Sequence, residues 1–331
     1  MKKYDITRII ALPAALLLFA GCYQDIDLDK YKGENGENLL SLNSVVNPDS
    51  TLAAVATKTF FYSDPVQSRQ YVRDLEISYK INGDITGILT FNPETNMYES
   101  SLIPSEGDVL ELTTEYRGQH IDCRDTIPNK VKIESVDVSR QGPMSIYSEE
   151  DYLVTYQITF SDPVAEDNFY FLSYGEYDIF EGGNLHFGVR DYTYEYVFQQ
   201  LARQINSIVP GWEPYSYTGL PFSDYGIDGQ THTLIVKEII QGDQLNLPAF
   251  SKMKRRFKLF SISRAYYNYL LSRLYSNSAG DSSLHGGMID LGFTEPLKSF
   301  SNINGGVGIF ASYSLDETDI DVIGILGPFT K

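Results

Sequence analysis

The sequence predicts a mostly β protein: an immunoglobulin-like β-sandwich over residues 39–128, then a larger β-rich domain over 129–331 carrying two helical insertions. Three observations lead there. Short apolar or alternating runs recur between Pro, Gly, Asn and Asp turns, and about seven such runs in roughly 90 residues fit a sandwich. The 25 tyrosines and 18 phenylalanines are the ring-bearing residues that strands favour. Two later stretches change to three- and four-residue apolar spacing, the period of a helix.

Residues 1–21 read as a cleaved signal peptide. Lys2, Lys3 and Arg8 precede the apolar run 9–20, which is shorter than the roughly 20 apolar residues a membrane-spanning helix needs. Phe19-Ala20-Gly21-Cys22 resembles a bacterial lipobox, at which Cys22 takes palmitate-like acyl chains and becomes the mature amino end. Each buried methylene of such chains adds about 0.8 kcal/mol of membrane affinity. Residues 22–38 form an acidic, glycine-bearing tether containing Asp25, Asp27 and Asp29. Cleavage removes three cations and one anion, so the formal charge of −18 becomes −20. So acidic a body repels nucleic acid and stands clear of an anionic bilayer, to which the lipid anchor alone would hold it. With Cys22 acylated only Cys123 remains, so stability rests on packed cores rather than on a disulfide.

The sandwich strands follow in order: 39–46 up to Asn47-Pro48-Asp49, 52–62 up to Ser63-Asp64-Pro65, and 72–81 up to Asn82-Gly83. Asn-Gly between apolar runs is a strong hairpin signal, because both residues tolerate positive φ. Strands 85–91, 97–102, 109–116 and 119–126 come next, the last two joined at Arg117-Gly118. Ile127-Pro128-Asn129 marks the domain boundary, since proline suits neither a helix interior nor a central ladder. Beyond it, strands are expected at 131–138, 152–160, 169–174, 186–189, 231–240, 256–260, 305–310 and 320–326. A helix is expected over 194–208 from the spacing of Tyr194, Val197, Phe198, Leu201, Ile205 and Ile208, with Pro210-Gly211 ending it. Ser263 is placed to cap a second helix over 264–277, with Tyr266, Tyr269, Leu270 and Leu274 on one side.

Few residues suggest chemistry. His120, His186, His232 and His285 are scattered without metal-ligand spacing, and His120 and Cys123 point to opposite faces of a strand. Asp316, Glu317, Asp319 and Asp321 lack the spacing of a calcium loop and read as a solvated acidic face. With no pair of catalytic roles to assign, no enzyme is expected and no cofactor is implied. The strongest binding candidate is the loop carrying Trp212, Tyr215, Tyr217, Phe222 and Tyr225 among Pro214, Gly219 and Pro221. Its rings would stack on a glycan or peptide or meet a partner protein; the competing reading is that they cap their own core. Tyr174, Tyr177, Phe180, Tyr192, Tyr194 and Tyr196 would extend the surface or serve as strand residues.

Several landmarks fall in a recognisable order: Cys22 with acids behind it, 45–50 (VVNPDS), Asn82-Gly83, Ile127-Pro128, 159–163 (TFSDP) with Asn168-Phe169-Tyr170, and Ser261-Ile262-Ser263 with Tyr266-Tyr267. Glu295-Pro296 and 301–310 (SNINGGVGIF) complete it. This order resembles the Bacteroidota lipoprotein family catalogued as domain of unknown function 4249. The resemblance implies an outer-membrane lipoprotein facing the cell exterior and a TonB-dependent transporter as partner, with the protein as accessory binding component of nutrient uptake. It implies no catalytic residue. The alternative expectation is a structural or adhesive surface protein engaging host, matrix or envelope proteins. The glycines at 305, 306 and 308 read as a bend or as a close approach of backbone segments before Ile309-Phe310 re-enters a core; a phosphate loop would need a lysine and a following helix.

Overall fold

The structure, a computed structural model, describes residues 38–60, 68–164, 166–176, 189–242, 254–278 and 297–329. The signal peptide, Cys22, nearly all of the tether, Tyr177, Phe180, His186, His285 and Glu295-Pro296 lie outside the described residues. One compact unit, Leu39–Lys58 with Gln70–Lys331, contains every element below.

The fold is mostly β and sandwich-like. Eight strands build the first half: β1 (Leu40–Val46), β2 (Ala53–Lys58), β3 (Gln70–Tyr71), β4 (Ile77–Ile81), β5 (Ile85–Asn92), β6 (Met97–Glu99), β7 (Val109–Tyr116) and β8 (Gln119–Thr126). They pair antiparallel in the order β1-β2-β6-β5-β4-β7-β8, with β3 on β2. Alternation sends Leu40, Leu42, Ile77, Leu89, Leu112, Ile121 and Cys123 into one core. Both expected tight turns form, with positive φ at Asn82 (53°), Gly83 (82°), Arg117 (54°) and Gly118 (77°).

Of the expected strand 72–81 only its second half forms, as β4; β3 ends at Tyr71, before it, and residues 72–76 lie outside any strand. The cause is one side chain. The Tyr98 hydroxyl accepts from Leu75 N at 3.0 Å and donates to the Val72 carbonyl at 3.0 Å, supplying partners a neighbouring strand would otherwise provide.

The second half comprises β9 (Ile133–Met144), β10 (Asp151–Ser161), β11 (Phe169–Glu176), β12 (Val189–Asp191), α1 (Tyr196–Asn206), β13 (Gly219–Ser223), β14 (Thr231–Ile240), β15 (Lys254–Ile262), α2 (Arg264–Ser278), β16 (Val307–Asp321) and α3 (Val322–Leu326). β12-β14-β10-β9 make one sheet, while β13-β11-β15-β16 continue the first-half sheet through β1. Between them lies an aromatic core: Tyr156 and Phe257 centroids are 5.1 Å apart, Tyr174 and Phe257 5.4 Å, Phe160 and Tyr170 5.3 Å. α1 buries Val197, Phe198, Leu201 and Ile205 of its expected face, while Tyr194 and Ile208 fall outside the helix and are exposed. α2 starts where Ser263 Oγ accepts from Tyr266 N at 3.2 Å. Of its expected face Tyr266, Leu270 and Leu274 pack against the second core, beside the buried Tyr267 and Leu271, which that face did not include; Tyr269 does not join them. The expected strand 320–326 is instead the end of β16 followed by α3, because the Asp321 carboxylate accepts from Gly324 N at 2.8 Å and caps a helical turn.

Ile127 closes the first core and Val131 opens the second. β16 joins the two. Its first residues pair with β1 in parallel, Ser41 opposite Val307 through Val46 opposite Ser312, and its remainder pairs antiparallel with β15. Phe310 and Ile303, from the end of the chain, complete the first core.

Candidate functional site

The aromatic loop after α1 folds back onto its own helix. Asn206 donates to the Trp212 carbonyl at 2.8 Å and accepts from Trp212 N at 2.8 Å, fixing the loop to the last helical turn. Trp212 is buried, and its Nε1 donates to the Tyr217 hydroxyl at 2.6 Å. Phe222 leaves on β13 for the core, where it stacks on Tyr170 with centroids 5.2 Å apart. Trp212 and Phe222 are therefore core side chains with no face free for a ligand, and half-buried Tyr217 packs against the same core. Tyr215 and Tyr225 are what the loop shows to solvent. Tyr215 is half-buried beside Asp191 and exchanges a hydroxyl hydrogen bond with exposed Tyr147; Tyr225 is 69% exposed. Of the neighbouring rings, Tyr174 and Tyr192 are buried, while Tyr194 and Tyr196 are exposed, with the Lys237 ammonium 3.3 Å from the Tyr194 centroid.

Beneath the loop the second core holds an ion pair. The Glu238 carboxylate, at zero exposure, accepts from Arg255 Nη2 at 2.9 Å and Nε at 3.1 Å and from the Tyr156 hydroxyl at 2.8 Å. Burial first, and Glu238 second, push the Tyr156 hydroxyl well above its ordinary range; burial does the same to Tyr174. Both Glu238 oxygens are engaged by these donors at zero exposure, so the geometry describes a structural pair.

The remaining candidates sort similarly. Burial first, with Asp122 and Asp125 adding to it, pushes the Cys123 thiol up to about 12, leaving no thiolate for nucleophilic chemistry, while His120 sits exposed. His232 lies 2.9 Å from the buried Glu195 carboxylate, which also accepts from Ile235 N at 2.8 Å; Glu195 serves these partners instead of capping α1. Each acid of the 316–321 run has a protein partner. Asp316 accepts from Ile133 N at 2.9 Å, Arg256 reaches Glu317 at 3.4 Å and Asp319 at 2.7 Å, and Asp321 caps α3.

Two constellations escaped the sequence reading. Asp162, Asp224 and Asp228 bring carboxylate oxygens within 4.8 Å of one another, and among the described residues they are the group that could hold a divalent cation. Asp162 accepts from the Tyr170 hydroxyl and from Gly229 N, and Asp224 accepts from Asn168 N. Their only sequence trace is the pair of acids four apart before Gly229, far from Ser161-Asp162-Pro163.

The second is Asp125, where β8 meets β16. Its carboxylate accepts from Ser312 Oγ at 2.7 Å and from Ser263, yet burial outweighs these bonds and pushes it up to about 6, from an ordinary 3.8. The folded state thus binds this proton more tightly than the unfolded chain does. The contribution to stability is largest below about pH 4 and falls as pH rises to about 6, by about 2 kcal/mol after allowing for a half-buried site. Asp125→Asn is expected to abolish this fall. Chemical unfolding at pH 4 and pH 7 measures it, and an unchanged slope in the variant would exclude Asp125 as its source.

A family model described as Domain of unknown function (DUF4249) matches residues 24–319. No curated protein and no solved structure matches the chain.

Proposed function

From the premise that this chain belongs to the family described as domain of unknown function 4249, we propose that it is a lipid-anchored outer-membrane protein facing the cell exterior. In this reading it acts by binding, as accessory to a TonB-dependent transporter in nutrient uptake. The observation that carries the proposal is the basic and apolar leader ending in Ala20-Gly21-Cys22, with Asp25, Asp27 and Asp29 directly behind. An acyl anchor on a strongly acidic body suits a protein that stands off its membrane and meets other molecules there. The transporter partnership rests on the family resemblance.

In envelopes of the native host, wild-type protein should sediment with membranes, take up a palmitate analogue, be cut by protease added to intact cells, and copurify with a TonB-dependent transporter. Cys22→Ala should lose the label and leave the membrane fraction. Label retained by the variant would refute the lipobox, and a membrane-bound wild type without any transporter would refute the uptake role.

A further inference from the structure

A groove of about 700 Å³ opens on the first half of the molecule, along β4, β5 and β6. It arises where β5 changes partner. Residues up to Leu89 pair with β4, whereas Thr90, Phe91 and Asn92 pair with β6, and the sheet parts around Ile88 and Thr90. The end of the Tyr79 ring forms part of the lining and lies across its cross-strand partner Gly87, where an added Cβ would meet the hydroxyl at 2.3 Å. Phe91, held by Tyr98 at a 5.2 Å ring separation, and Ile88, 56% exposed, supply apolar wall.

The polar side of the groove is pre-positioned. One Glu99 carboxylate oxygen accepts from Asn92 Nδ2 at 3.0 Å and the other from Thr95 Oγ1 at 2.7 Å. Those two hydrogen bonds hold Glu99 below its ordinary pKa, so it faces the groove ionised. An ionised carboxylate is acceptor-only with about four lone-pair sites, so each oxygen keeps capacity for a ligand hydroxyl. Ser101 adds a hydroxyl that can donate or accept, and among the described residues no lysine or arginine lines the groove.

These features select a ligand chemistry. The volume lies within the range of about 300–1,000 Å³ typical of small-molecule sites. An anion would meet Glu99 and a body of formal charge −18 without a cation to receive it. The partner that satisfies both walls has hydroxyl donors for Glu99 and apolar C–H faces for Tyr79, Phe91 and Ile88. We propose that this groove binds a neutral oligosaccharide of two or three sugar units. Its physiological sense rests on the binding role proposed above; its chemistry does not.

The test uses the full mature chain and four trisaccharides as probes: maltotriose, xylotriose, mannotriose and laminaritriose. Saturation-transfer NMR and calorimetry should detect at least one. Glu99→Ala should then weaken that affinity at least tenfold and Ile88→Ala severalfold. Ile88→Ala should leave the thermal melt unchanged because the side chain is solvent-facing, and Glu99→Gln, which keeps an acceptor oxygen for Asn92 or Thr95, should lose affinity with little change in the melt. No binding at millimolar concentration, binding that survives Glu99→Ala, or displacement by the tripeptide Gly-Lys-Gly would each overturn the proposal, the last by showing a cation site. Membrane fractionation of Glu99→Ala separates the two readings: wild-type location and transporter copurification would leave the anchored role standing even where the groove proposal fails.

Discussion

Glu238→Ala is expected to lower the unfolding free energy by about 3–5 kcal/mol, the cost of leaving one member of a buried ion pair behind. Arg255, almost wholly buried, would lose both bonds to its carboxylate and keep its charge, and the Tyr156 hydroxyl would lose its acceptor. The Tyr156 hydroxyl and the Lys254 carbonyl, which Arg255 Nη1 meets at 3.1 Å, are neutral acceptors that cannot replace the lost charge, and water would have to enter a core formed by Tyr156, Tyr174 and Phe257. Replacing both charges, Glu238→Leu with Arg255→Met, should cost markedly less, because an apolar pair of similar volume leaves no charge unpaired. Urea unfolding of wild type, single and double variants reads this directly. A single variant within about 1 kcal/mol of wild type, or a double variant no better than the single, would mean that the pair is not buried as described.

Gly308→Ala is expected to be comparably damaging, at about 4 kcal/mol. Two costs coincide at this position. The backbone has φ of +120°, a conformation that charges a side-chain-bearing residue about 1–3 kcal/mol. A Cβ there would also sit 2.1 Å from the Leu42 carbonyl oxygen, on the strand with which β16 pairs. Relief requires β1 and β16 to move apart, and Leu42 and Phe310 belong to the core that this movement would open. Gly118→Ala is the control: φ is +77° with nothing within 4 Å of the new atom, so only the conformational cost applies. Equal shifts in denaturation midpoint for the two variants would show that the approach of the two strands is not what Gly308 serves.

How much of this was legible before the structure depends on how local each signal was. The Asn82-Gly83 and Arg117-Gly118 turns were readable because a hairpin's demand for positive φ falls on adjacent residues. The glycines of 305–308 were readable as a bend or a close approach, but neither the choice nor the partners: a Cβ at Gly305 would meet the His120 carbonyl and one at Gly308 that of Leu42, both remote in sequence. The truncation of 72–81 was hidden because its cause, Tyr98, lies on another strand. α3 was hidden because Val322-Ile323-Gly324-Ile325-Leu326 is apolar throughout, and a short apolar run does not reveal its period.

The binding candidates show the same limit. An aromatic loop with Pro and Gly looks exposed, yet whether Trp212 points out or in was decided by Asn206 and Tyr217, which hold it against the core. The groove beside Glu99 had no sequence signature, because it exists only where β5 passes from one partner to another. The lipobox stayed legible for the opposite reason: the signal and its residue, Cys22, are contiguous.

The parallel pairing of β1 with β16 also sets the order in which the molecule can be completed. Synthesis runs from the amino end, so β1 is made long before its partner, with Asn43 bonded to Ile309 across 266 positions. Contacts of such separation carry a loop-closure cost before any gain, and folds rich in them form slowly. A chain halted before Val307 leaves one side of β1 unpaired and the first core without Phe310. An open strand edge is a template for association with other chains. The growing polypeptide must therefore carry that edge while the 266 positions between Asn43 and Ile309 are made, until β16 arrives to cover it.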